Sequence, residues 1–277
     1  MISDNTIELI SLHGGHSGEF CSHAHDTLEE MVSAYIEQGF NRVGITEHMP
    51  PVSDRFIYPD EREAGLDRED LLQRFARYMV VARELQEKYA SRMTIQVGFE
   101  TETCSGSEEF IRRLIEEYRP DYIVGSVHHL DDIPFDYSPE EYQRAVRTAG
   151  SIDNLYCRYF DLQFEMINAL RPAVVGHLDL VRIYDPGYRE RMDNPEIRDR
   201  ILRNLERIKE LDLILDCNCR SIEKDGEPYP TRSILLQALK LGISIAPGDD
   251  SHSVATVGRG IKAGIELLRE LGNTQIS

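Results

Sequence analysis

The segment Arg42-Val43-Gly44-Ile45-Thr46-Glu47-His48 is short, apolar and β-branched, and a histidine stands just past its end. A run of this length bounded by polar residues reads as a buried strand, here over 42–46. Upstream, Leu28, Met31, Val32, Tyr35 and Ile36 recur at helical spacing across 27–38, and Gly39 follows where a left-handed C-terminal cap is expected. The same alternation continues along the chain. Further strands are expected at 6–12, 94–99, 122–127, 173–176, 213–217 and 244–246. Further helices are expected to start at Asp67 with Asp70 and at Ser107, and to cover 152–170, 195–210, 231–241 and 258–271. Strand followed by helix, seven times over, implies a parallel sheet wrapped by helices. A closed barrel one strand smaller than the eight-stranded form fits best, with an open doubly wound sheet as the alternative. No linker, repeat or composition break divides residues 1–277, which read as a single domain.

Composition narrows the function classes. With 41% hydrophobic and 29% charged residues the chain is not of the disordered or low-complexity type. Its formal charge, 31 − 49 = −18, would repel a polyphosphate backbone, so no nucleic-acid partner is expected. No run approaches the roughly 18 apolar residues of a membrane span, and residues 1–12 lack a signal peptide's basic start and apolar centre. No membrane partner and a cytoplasmic location are therefore expected. The five cysteines, Cys21, Cys104, Cys157, Cys217 and Cys219, are too sparse for a disulfide framework.

The histidines carry the chemical signal. His13 and His16 follow the first expected strand, His48 the second, His128 the fourth and His177 the fifth; Asp250 and His252 follow the seventh, and Glu100 ends the third. In parallel α/β folds the loops after the strands gather on one face, where active sites form, so these distant segments are expected to meet. One histidine alone is more often a surface or core side chain. With His23 added, seven histidines and two carboxylates make a donor set suited to zinc, iron or manganese. A catalytic zinc takes about three protein ligands plus water, so nine donors with a shared carboxylate would serve about three ions.

Seven blocks in order span nearly the whole chain: His13-Gly14-Gly15-His16, Phe20-Cys21-Ser22-His23, Thr46-Glu47-His48, Gly98-Phe99-Glu100, Gly125-Ser126-Val127-His128, Gly176-His177-Leu178-Asp179 and Gly248-Asp249-Asp250-Ser251-His252. In them the chain resembles the polymerase and histidinol phosphatase (PHP) superfamily, and within it the histidinol-phosphate phosphatases. The resemblance implies a distorted seven-stranded (β/α)7 TIM-like barrel carrying two to three divalent transition-metal ions, zinc, iron or manganese. It implies a first ion held by His13, His16, Glu100 and Asp250, a second sharing Glu100 and held by His128 and His177, and a third held by His23, His48 and His252. The family usually opens with two histidines one residue apart, whereas here two glycines separate them. A bulge allowed by Gly14 and Gly15 is expected to turn both inward. The implied reaction is hydrolysis of L-histidinol phosphate to L-histidinol and phosphate, a step of histidine biosynthesis. A related phosphoesterase acting on another small ester, such as a nucleotide or sugar phosphate, is the alternative, and a non-catalytic metal-storage or regulatory protein the third reading.

Three divalent ions against two ligating carboxylates would leave about +4, a cationic pocket in an anionic protein. Such a site lowers the pKa of bound water from about 16 to roughly 7 and would support in-line attack of a metal-bridging hydroxide on phosphorus, with Glu100 and Asp250 at the reacting centre. Rival routes lack their residues: no cysteine has an arginine six positions later, and neither Asp-x-Asp nor Gly-x4-Gly-Lys-Ser/Thr occurs. For the phosphate, Arg220 after the sixth strand is the first candidate for a bidentate contact, with Arg158 and Arg182 behind it. His129 is a further candidate for substrate contact. Cys217 and Cys219 fit barrel packing better than a thiolate metal site. The segments 129–137 and 50–66 are expected to rim the pocket, with carboxylates able to meet an amine or imidazolium.

Overall fold

The computed structural model describes residues 8–272. Seven parallel strands lie side by side in chain order: β1 (Ile10–Ser11), β2 (Arg42–Ile45), β3 (Thr94–Glu100), β4 (Tyr122–Gly125), β5 (Val174–Val175), β6 (Ile214–Asn218) and β7 (Ser244–Gly248). An order that never reverses has no switch point, which rules out the doubly wound alternative. The outer strands also meet. The Leu12 amide donates to the Pro247 carbonyl at 3.1 Å and the Asp250 amide to the His13 carbonyl at 3.0 Å, so the sheet curls into a nearly closed barrel. Asp249 fastens this seam from within, accepting hydrogen bonds from Ser11 Oγ at 2.6 Å, Tyr35 Oη at 2.8 Å and the Gly258 amide at 2.8 Å. A buried carboxylate that is matched in this way avoids the cost of an unpartnered charge.

Helices wrap the barrel where the apolar periodicity places them. Helix α1 (Leu28–Glu37) buries Leu28, Met31, Val32 and Tyr35, begins with a Thr27–Glu30 capping box and ends before Gly39 at φ +82°. Helix α2 (Arg68–Tyr89) starts with the Asp67–Asp70 box and turns Phe75 and Tyr78 onto the sheet. Ser107 opens α3 (Ser107–Tyr118). After β4 the chain makes two helices rather than the one expected, α4 (Pro139–Ala149) and α5 (Ile152–Leu170), because Gly150 at φ +87° ends the first and Ser151 caps the second. Helices α6 (Pro195–Glu210), α7 (Arg232–Lys240) and α8 (Ile261–Glu270) complete the ring.

Strand edges differ in detail from the sequence reading. Of the expected 6–12 strand, Ile10–Ser11 form β1, and Thr6 and Ile7 lie outside the described residues. Strands β4 and β5 stop at Gly125 and Val175, while β3, β6 and β7 run on to Glu100, Asn218 and Gly248. The rim segments are more ordered than plain loops. A hairpin pairs His129–Leu130 with Ile133–Pro134, and residues 50–66 contain helical turns at Asp54–Phe56 and Pro59–Glu63. Inside the barrel, Leu12, Val124, Val174 and Ala246 form a small apolar plug with Tyr122 and Ile214. No helix among the described residues is long and apolar enough to cross a membrane.

Candidate metal centre

Glu100, the last residue of β3, is the hub of the barrel's C-terminal rim. Its Oε1 lies 2.8 Å from His177 Nε2 and 3.3 Å from His128 Nε2; its Oε2 lies 3.4 Å from His13 Nε2, 3.4 Å from His48 Nδ1 and 3.8 Å from His16 Nε2. Asp250, just past β7, points Oδ1 at His16 Nε2, 3.2 Å away. Its Oδ2 accepts hydrogen bonds from Asn218 Nδ2 at 3.1 Å and Arg220 Nη1 at 2.8 Å. The His252 ring stacks on those of His16 and His23 at 4.6 and 5.0 Å, and His23 lies 5.6 Å from His48. All nine expected metal-ligating residues therefore stand at one rim.

Gly14 and Gly15 explain how His13 and His16 both turn inward. A Cβ on Gly14 would sit 2.0 Å from the Gly44 carbonyl oxygen, and one on Gly15 would sit 2.6 Å from Met31 Cε and 2.8 Å from Ser251 Oγ. The two residues between the histidines are pressed against β2, α1 and the loop after β7, and only glycine fits.

Several imidazole and carboxylate atoms here are buried without hydrogen-bond partners: both nitrogens of His16, His13 Nε2, His48 Nδ1, Glu47 Oε2 and Glu102 Oε1. The neighbours of the imidazole nitrogens stand 3.2 to 3.8 Å away but off the hydrogen-bonding direction. His128 Nε2 and His177 Nε2 face each other at 3.3 Å, close to the roughly 3.3 Å that separates two nitrogens sharing one tetrahedral zinc. Ligand atoms fall within 4.8 Å of one another in four sets: His13, Glu100 and His177; His13, His16 and Asp250; His48, Glu102 and His128; and His16, Cys21, His48 and His252. Unpartnered buried donors grouped in this way fit divalent metal ions.

The electrostatics point the same way. Burial alone would lower the pKa of His13, His16 and His128. The carboxylates of Glu100, Asp250 and Asp216 around His13, of Asp250 and Glu47 around His16, and of Glu102 and Glu100 around His128 outweigh it and raise all three, His16 to about 9. Burial likewise pushes Glu100, Glu102 and Asp250 up, yet neighbouring imidazoles, with Arg220 at Asp250, hold all three well below the usual range. His23 and His252 are depressed, first by burial and then by the histidines beside them, His23 to about 3. The carboxylates thus favour positive charge where the ligand nitrogens converge, and a proton and a metal ion compete for those atoms.

Four residues of the rim were not assigned a role from the sequence. Asp216 Oδ2 lies 2.9 Å from His13 Nδ1, Glu102 Oε2 lies 3.1 Å from His128 Nδ1, Glu47 Oε2 lies 3.6 Å from His16 Nδ1, and Cys21 Sγ lies 3.3 Å from His23 Nε2. Period-two alternation from Glu100 and Asn218 would have found Glu102 and Asp216. Counting Glu47, Glu100, Glu102, Asp216 and Asp250, five carboxylates are buried here. Three divalent ions would then leave about +1 (6 − 5) rather than about +4, a smaller excess than two ligating carboxylates implied.

The substrate-contact candidates separate. Arg220 reaches the rim through Asp250 with its side chain half exposed. His129 is buried, with Nδ1 3.2 Å from Glu102 Oε2. Arg158 instead pairs with Asp131 on the surface. Arg182 is buried between the Tyr229 and Tyr188 rings, donating to Asp179 and to the Pro228 carbonyl. Cys217 and Cys219 point away from Asp216 and Asn218; Cys219 Sγ donates to the Cys217 carbonyl and packs against Gly264 of α8, so they are core residues.

The PHP domain family matches residues 12–220. A "Probable histidinol-phosphatase" of Schizosaccharomyces pombe is 33% identical, covering 96% of this chain and 88% of the relative. The "Histidinol-phosphatase" of Saccharomyces cerevisiae is 29% identical, covering 89% of this chain and 84% of the relative. The crystal structure of a candidate histidinol phosphatase from Listeria monocytogenes matches with a TM-score of 0.81 at 28% identity, covering 92% of this chain and 99% of that one. The histidinol phosphate phosphatase of Lactococcus lactis, solved with zinc, L-histidinol and phosphate, shares the fold with a TM-score of 0.72 at 18% identity, covering 97% of this chain and 95% of that one. The barrel is shared with these two solved structures, and this chain belongs to the PHP domain family, whose model matches three quarters of it.

Proposed function

We propose that the chain is a metal-dependent phosphomonoesterase that hydrolyses L-histidinol phosphate to L-histidinol and phosphate in cytoplasmic histidine biosynthesis. The observation that carries the chemistry is Glu100, with five imidazoles within 3.8 Å of its carboxylate. The substrate reading rests on the relatives named histidinol-phosphatases over nearly the full chain. His13, His16, His23, His48, Glu100, His128, His177, Asp250 and His252 would hold two to three ions of zinc, iron or manganese. When bound, such ions polarise phosphoryl oxygens and supply hydroxide near neutral pH.

The chain's own residues shape that centre. Asp216 orients His13, Glu102 and Glu47 stand beside His128 and His16, and Glu100 would hold more than one ion. Arg220 holds Asp250 through Oδ2, leaving Oδ1 directed at His16, and its exposed guanidinium is our proposed phosphate contact in preference to Arg158 or Arg182.

Phosphate release from histidinol phosphate by metal-replete and chelated enzyme tests the proposal. Activity lost on chelation and restored by metal is the expected result. Turnover of other esters but not of histidinol phosphate would move the assignment to a related phosphoesterase, and full metal occupancy without release from any ester would leave a storage protein.

A further inference from the structure

A cleft opens beside the metal-ligand rim. His23 and His48 stand at one side, so the cleft and the rim share residues. The segment 50–66 forms the other side, contributing Phe56, Tyr58, Asp60 and Glu61. Four carboxylates line this space, Glu47, Asp60, Glu61 and Glu102, against one guanidinium, Arg74, which donates to Ser22 Oγ at 3.1 Å. Glu102, 6% exposed, has an Oε1 with no hydrogen-bond partner. Asp60 Oδ1 is likewise unpartnered, and Glu61 accepts the Tyr58 amide through Oε2 at 3.0 Å. Buried acceptors without donors are costly, and a ligand that brings N–H donors and positive charge offsets that cost. Phe56 and Tyr58 add aromatic surface to the same lining.

We propose that this cleft receives the positively charged organic half of the phosphate ester and that Asp60 and Glu61 make the enzyme selective for cationic over neutral esters. The proposal rests on the phosphomonoesterase reading above. The phosphate is held at the rim and the ammonium or imidazolium end extends along segment 50–66. Asp60 and Glu61 lie on a short helix outside the nine metal-ligating residues, so this selectivity can be altered without removing a metal donor.

The test is the ratio of kcat/KM for cationic esters, L-histidinol phosphate and O-phosphoethanolamine, to that for p-nitrophenyl phosphate. It is measured in wild type, Asp60→Asn, Glu61→Gln and the double variant, with metal content and circular dichroism as folding controls. Loss of charge-assisted hydrogen bonds should lower the ratio about 10- to 100-fold, chiefly through KM. A ratio within about twofold of wild type in the double variant overturns the proposal, as does a wild type with no preference for cationic esters. Should a variant fail to fold, competitive inhibition of wild-type p-nitrophenyl phosphate hydrolysis by L-histidinol, and not by glycerol, supports the cleft; equal potency of the two overturns it. A wild type inactive on histidinol phosphate that still prefers O-phosphoethanolamine, with that preference lost in the variants, refutes the substrate assignment and leaves this proposal standing.

Discussion

His13 Nδ1 lies 2.9 Å from Asp216 Oδ2, and both side chains are sealed from solvent. The carboxylate fixes which ring nitrogen carries the proton and so presents Nε2 to Glu100. Partners of this kind typically contribute 10- to 100-fold in metal affinity or activity. Asp216→Asn should therefore weaken metal binding and phosphate release by about that factor while far-ultraviolet circular dichroism stays native. Metal titration followed by colorimetry decides it, and wild-type affinity in the variant would remove the positioning role.

Glu100→Ala should abolish hydrolysis and lower metal content together, because one carboxylate stands among five imidazoles from four loops. Elemental analysis alongside phosphate release checks this. Activity near wild type would refute sharing of Glu100 between ions.

Gly14→Ala puts a methyl where the Gly44 carbonyl oxygen already stands, 2.0 Å away. Overpacking of this kind costs about 1–3 kcal/mol, so the thermal midpoint should fall by several degrees. Because the strain sits between His13 and His16, metal content should fall with it. An unchanged melting curve would mean the loop relaxes freely.

In chelated enzyme, stability should depend on pH through His16. Its folded pKa of about 9 exceeds the reference 6.5, since Asp250 and Glu47 outweigh the opposing effect of burial. The stabilisation is therefore complete below about pH 6.5 and is lost as pH rises through about 9. His23, depressed by burial to about 3, acts in the opposite sense and costs stability as pH falls from 6.5 toward 3. Melting temperatures of chelated protein across these windows test both, and metal loading should flatten the alkaline limb because the ion takes the proton's place. A flat alkaline limb without metal would dismiss the His16 contribution.

The barrel and its ligand rim were legible because six of the seven strands are compact apolar runs with a histidine or acid at or just beyond the end, and topology alone carries such residues to one end. The carboxylates behind the histidines were harder to see. Asp216 stands inside an apolar strand beside two cysteines, and which of the alternating faces looks inward depends on barrel closure. Helix 152–170 was legible, but α4 before it was not, because α4 buries only Tyr142, Ala145 and Ala149, a faint apolar stripe. What a side chain is already bonded to cannot be read from sequence: Arg158 and Arg182, the weaker phosphate candidates, are engaged by Asp131 and by the Tyr229 ring.

The seam between β1 and β7 has a biosynthetic consequence. His13 precedes Asp250 by 237 residues (250 − 13), so a nascent chain has no complete metal pocket until Asp250 has been made. Loading of the complete pocket must wait for that segment, and removing the chain from Ser244 onward would lose Asp250 and the strand that seals the barrel in one stroke.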